Sequence, residues 1–127
     1  MPDMLTIVLL INPSRTYTRG LLDGIAQYAR LHGPWAFYRP LEYREPKFRQ
    51  GLLSVLKSLK PHGIFLREPP HLEEIIELGV PTISFPYTRE AIPGIANAVT
   101  DHRAVGVMAA GHLLSRGLHR FAYCGFD

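Results

Sequence analysis

Polar side chains stand in this sequence where apolar runs give out. Asn12, Ser14, Arg15 and Tyr17 follow the run at residues 5–11. Arg67 and Glu68 follow residues 64–66, Tyr87 follows residues 80–85, and Asp101 follows residues 95–100. Together they offer donors, acceptors and aromatic faces. A polyhydroxylated small molecule needs that mixture, because each hydroxyl both donates and accepts. A nucleoside triphosphate would instead want backbone N–H groups at a Gly-rich helix start. Each residue also has a plainer role. Asn and Ser are common turn formers, and Thr16 or Thr18 can cap a helix. Arg67 and Glu68 can pair as surface ions, a contact of small worth, and Asp101 reads as a helix N-cap.

Catalytic signatures are missing. The sequence has no Walker-type loop, no GxGxxG after a strand, no GxSxG and no HExxH. The six histidines lack metal-ligand spacing, and no cofactor or metal is expected. His112 is expected on the core side of its helix, hydrogen-bonded as buried polar groups are. A single cysteine, Cys124, permits no intramolecular disulfide.

Alternating elements must position these groups. Residues 5–11 form a nearly unbroken apolar run, as in a strand covered on both faces of a parallel sheet. A loop over residues 12–18 leads to a helix over 19–31, with Leu21, Leu22, Ile25, Ala26, Tyr28 and Ala29 inward. Residues 35–38 make a short aromatic strand flanked by Pro34 and Pro40, which suits an edge. A helix over 48–59 turns Leu52, Leu53, Val55, Leu56 and Leu59 inward. Residues 64–66 form a strand. Residues 71–78 form a helix with Leu72, Ile75 and Ile76 inward, and Gly79 ends it in a left-handed conformation. Strands follow at 80–85 and 95–100. Asp101 then opens a helix reaching Arg116, with Val105, Met108, Ala109, His112 and Leu113 on one face. A last strand is expected over 120–124.

Strands alternating with helices predict an α/β fold: a doubly wound parallel sheet, flavodoxin-like, with right-handed crossovers. In such sheets ligands sit beyond the carboxyl ends of the strands. That rule selects Asn12, Ser14, Arg15, Tyr17, Arg67, Glu68, Tyr87 and Asp101 as candidate ligand contacts. The 127 residues suffice for one domain, and the 46% hydrophobic content supports a core. The net charge of +3 is mild and its arginines are dispersed, so a nucleic-acid-binding stripe has little support. No secretory signal and no apolar run of membrane-spanning length is visible, which predicts a cytoplasmic protein.

The segments Thr100-Asp101-His102-Arg103-Ala104-Val105-Gly106, Ala109-Ala110-Gly111-His112-Leu113-Leu114 and Arg116-Gly117-Leu118-His119-Arg120-Phe121-Ala122-Tyr123 resemble the regulatory domains of lactose-repressor-type proteins. The opening Ile7-Val8-Leu9-Leu10-Ile11-Asn12, with Tyr17, Arg19, Gly24 and Tyr28, is similar to one branch, the xylose-operon activators. Val80-Pro81 and Gly63-Ile64 fit as well. The resemblance implies a sensor with two lobes like those of type I periplasmic binding proteins. Residues 1–127 would supply the amino-terminal lobe. The second lobe and a carboxyl-terminal helix-turn-helix domain would lie outside the chain. It further implies a sugar ligand, D-xylose, held between lobes, operator DNA bound through the absent domain, and a homodimer. The first-loop residues and Asp101 would touch sugar, and the outer face of the first helix would contact the other subunit.

Other functions remain compatible with such a sheet. A flavodoxin-like cofactor-binding or enzymatic domain is the alternative, although no phosphate loop or nucleophile–base pair supports it. A phosphoreceiver would want clustered acids where Asn12 and Arg15 stand. A transport-type solute-binding protein would want a signal segment.

Overall fold

The apolar run that follows Met4 becomes the strand around which the others assemble. The computed structural model describes residues 3–40, 46–67, 69, 71–87 and 91–125. Its elements are β1 (Leu5–Leu10), α1 (Thr16–His32), β2 (Trp35–Tyr38), α2 (Pro46–Leu59), β3 (Gly63–Leu66), α3 (Leu72–Glu77), β4 (Thr82–Ser84), β5 (Ala96–Asn97) and α4 (His102–Ser115). The strands form one sheet in the order β2-β1-β3-β4-β5, and every neighbouring pair is parallel. This is the α/β, doubly wound, flavodoxin-like order expected from the sequence. The direction of winding reverses between β1 and β3, where such folds open a crevice for ligand.

Successive side chains of β1 serve opposite layers. Val8 and Leu10 pack with Leu52 and Leu56 of α2, Ile64 and Leu66 of β3, and Ile75 of α3. Ile7, Leu9 and neighbouring Ile11 pack on the other side with Ile25 of α1 and with Phe85. Both faces are therefore apolar, which explains why residues 5–11 show no polar alternation. Each such buried Leu or Ile stabilises the fold by roughly 1.5–3 kcal/mol. The β1–β3 pairing extends past its ladder, since the Thr6 N–H donates to His62 Nδ1 at 3.0 Å and the His62 N–H to the Thr6 carbonyl at 2.8 Å.

The helix ends follow local chemistry. Buried Thr18 stands in the first turn of α1 and reaches back to Arg15. Its hydroxyl donates to the Arg15 carbonyl at 2.8 Å and accepts from the Arg15 N–H at 3.3 Å. Gly79 ends α3 with φ +68°, as its type predicts. Near the start of α3, backbone hydrogen bonding, and next the hydrogen bond from His71, hold the Glu74 carboxyl below its usual range. Asn97 was not singled out from sequence. Its amide accepts from the Ile92 N–H and donates to the Ile92 and Ile95 carbonyls, each at 2.8 Å, tying the turn before β5.

Several expectations are corrected. The loop after β1 is shorter than residues 12–18, because α1 begins at Thr16 and carries Tyr17 in its first turn. Tyr28 is exposed rather than inward; it stacks on His32 with centroids 4.2 Å apart. The strand expected over 95–100 shrinks to Ala96–Asn97. Residues 120–124 form no strand and lie exposed. The proposed inward face of α4 is largely exposed, with Val105, Met108 and Ala109 in solvent and only Leu113 half-buried. His112 is exposed too, not a core histidine. Physically, Val107 and Leu114 fall opposite Val105 and Leu113 at 100° per residue, so α4 has no single apolar stripe to dock. A groove of 560 Å³ stays open over the sheet, lined in part by Ile7, Trp35, Phe65, Ile83 and Ala96.

Candidate functional site

Loops at the carboxyl ends of β1, β3 and β4 bring four of the sequence-selected residues together. Arg15 is the N-cap residue of α1, in extended backbone. Tyr17 lies in the first turn of that helix. Arg67 directly follows β3, and its N–H donates to the Leu10 carbonyl at 3.1 Å, which ties its backbone to the end of β1. Tyr87 follows β4 by three residues. The Phe85 N–H donates to the Leu66 carbonyl at 2.9 Å and draws that segment toward Arg67.

Cations and rings interlock there. The Arg67 guanidinium carbon lies 4.7 Å from the Tyr17 ring centroid and 5.1 Å from that of Tyr87. The Arg15 guanidinium lies 4.8 Å from the Tyr87 centroid, and its Nη1 donates to the Tyr87 hydroxyl at 2.6 Å. Contacts at this range gain from the ring quadrupole, about 0.5–1 kcal/mol each where solvent reaches them. The phenols therefore hold the two cations in place. Arg67 Nη1 is buried and has no hydrogen-bond partner. A buried donor left unpaired is costly, and in native folds it often marks a place where a ligand or water belongs.

The other selected residues are used differently. The Asn12 Oδ1 accepts from the Ser14 N–H at 2.9 Å, a turn contact made by its side-chain acceptor. Ser14 is exposed beside it. Asp101 caps α4, accepting from the Ala104 N–H at 2.9 Å through one carboxylate oxygen. That hydrogen bond lies within its own helix and not at the Arg–Tyr cluster. Glu68 lies outside the described residues. Sequence reasoning passed over Ser84, which is fully buried near the end of β4 with its hydroxyl unpaired. A serine inside the apolar run at 80–85 was the available signal.

Among the described residues, no group of three or more His, Cys, Asp or Glu is placed to hold a metal. Among them, too, no helix is long and apolar enough to cross a membrane.

No family model matches the chain, and no curated protein does. Solved structures do. A periplasmic binding protein/LacI transcriptional regulator from Alkaliphilus metalliredigens QYMF, complexed with D-xylulofuranose, aligns with TM-score 0.62 at 22% identity, over 88% of this chain and 41% of its own. A LacI family transcriptional regulator from Lactobacillus casei aligns with TM-score 0.61 at 24% identity, over 93% of this chain and 44% of its own. Structures of that regulator hold bound glucose or sucrose. The chain thus spans less than half the length of these proteins. The parallel sheet, its strand order and these alignments agree, and the chain has the fold of one periplasmic-binding-protein-like lobe.

Proposed function

We propose that this chain is the amino-terminal lobe of a cytoplasmic, sugar-responsive transcription regulator. The observation that carries the reading is the Arg15–Tyr17–Arg67–Tyr87 cluster, set at the strand-order reversal of a fold shared with sugar-bound regulators. Aromatic faces and an unpaired donor suit a ring that presents both C–H faces and hydroxyls. In this reading residues 1–127 form one wall of a cleft and a second lobe forms the other. Sugar bridging the walls favours the closed arrangement and shifts the population toward it. No bond is made or broken. Operator DNA is bound by a separate domain, and two subunits pair through the outer face of α1. The resemblance to xylose-operon activators makes D-xylose the first candidate.

The test is calorimetric titration of the full-length protein with D-xylose, beside arabinose, ribose and glucose. Saturable binding of D-xylose alone supports the reading in full. Binding of another sugar keeps the mechanism and changes the inducer, and no heat from any sugar, neutral or anionic, overturns it. Asp101→Ala refines the site. As a cap it costs about 1 kcal/mol of stability; as a sugar contact it also weakens binding at least tenfold. Unchanged sugar affinity in that variant removes Asp101 from the site.

A further inference from the structure

We infer that the ligand of this site carries an oxyanion, a carboxylate or a phosphate on a sugar. The inference rests on the sugar-sensing reading and narrows it. Its carrier is an imbalance of charge among the described residues. The Arg15 and Arg67 guanidiniums both lie about one ring away from Tyr87, at 4.8 and 5.1 Å from its centroid. Neither makes an ion pair with a carboxylate among the described residues, where the pair formed is His71 with Glu74. Like charges set against the same ring repel one another. Stacking on phenol rings steadies them but leaves their charge in place.

Arg67 has further capacity. A guanidinium offers five N–H donors in one plane. Its contacts with the rings of Tyr17 and Tyr87 are cation–π contacts and consume no N–H donor. The buried Nη1 has no hydrogen-bond partner among the described residues. The two rings restrain the guanidinium, and its unpaired donor is available to an acceptor. Arg is suited to planar, bidentate acceptors, and such charge-assisted bonds are about twice as strong as neutral ones.

A third source of positive potential meets the first two. Arg15 is the N-cap of α1 and Tyr17 lies in its first turn, so the amino end of the helix dipole opens on the cluster. That turn contains no acidic residue to offset the dipole. A neutral hydroxyl accepts a hydrogen bond from Arg67 and adds no charge to offset these cations. An oxyanion accepts the same bond and neutralises it. Arg67 is then the specificity-determining residue, and Arg15 positions Tyr87 through their 2.6 Å hydrogen bond.

The experiment titrates the full-length protein with neutral and anionic members of matched pairs: D-xylose against D-xylonate, and D-ribose against D-ribose 5-phosphate. Arg67→Met and Arg67→Lys are run beside the unchanged protein, with circular dichroism to establish folding. The expected result is at least tenfold tighter binding of an anionic member than of its neutral parent. The preference should shrink with added salt, vanish in Arg67→Met and survive in part in Arg67→Lys. The carboxylate and phosphate arms tell the two oxyanions apart. Equal or tighter binding of the neutral sugars overturns the inference and leaves the sugar-sensing reading standing. So does an anionic preference that persists undiminished in folded Arg67→Met. Failure of every sugar to bind removes both.

Discussion

Tyr87 does two jobs with one side chain. Its hydroxyl accepts from Arg15 and its ring lies against both guanidiniums. The two can be separated. Tyr87→Phe deletes the acceptor and keeps the ring, and because the site is open to solvent the expected loss is about 1 kcal/mol or less. Tyr87→Ala deletes both cation contacts as well and should cost roughly another 1 kcal/mol. Urea denaturation of the two variants reads the difference, and equal losses would show that the ring contributes nothing. The residues of this cluster were legible from the strand-end rule, which needs only the order of elements. Their mutual stacking was not legible. It depends on rotamers and on a register between strands some fifty residues apart in sequence, such as Leu10 with Leu66. Asn12 shows the opposite case, where a selected ligand residue is occupied by the turn chemistry its type already offered.

Elements that build their own burial were legible, and those that depend on a distant neighbour were not. β1 and α2 carry the core in their own spacing, through Val8 and Leu10 and through Leu52 and Leu56. Gly79 announced the end of α3 because few other residues tolerate φ +68°. No atom stands within 4 Å of where its Cβ would be, so Gly79→Ala meets no clash and costs only the strained backbone, about 1–2 kcal/mol. Thermal denaturation checks this, and Gly79→Asn should lose less, since Asn visits that conformation more readily. Residues 120–124 read as a strand because their apolar content suits one. A strand, however, is completed by the hydrogen bonds of its neighbour, and β5 is only two residues long. No local pattern could reveal that shortage.

At the scale of the whole molecule, burial is uneven. The sheet, α1, α2 and α3 share two apolar clusters, while α4 belongs to neither and has only Ala110 and Leu113 half-buried. A helix of 14 residues without tertiary packing is marginal in water. Amide hydrogen exchange on this chain should therefore find residues 102–115 exchanging orders of magnitude faster than Leu52 and Leu56 in α2. Protection of α4 equal to that of α2 would show that the helix is packed in solution.

The position of the one tryptophan gives the molecule a built-in division of optical labour. Trp35 opens β2, half-buried, with the Tyr28 ring 5.5 Å and the Phe37 ring 6.2 Å away. It therefore sits at the amino end of the sheet, whereas Tyr17 and Tyr87 stand at the carboxyl end. Its fluorescence follows the seam between α1 and β2 and reports unfolding. Ligand arriving at the Arg–Tyr cluster perturbs tyrosine absorption instead. Emission from Trp35 would stay unchanged while the site filled, and difference spectroscopy of the tyrosines would see it.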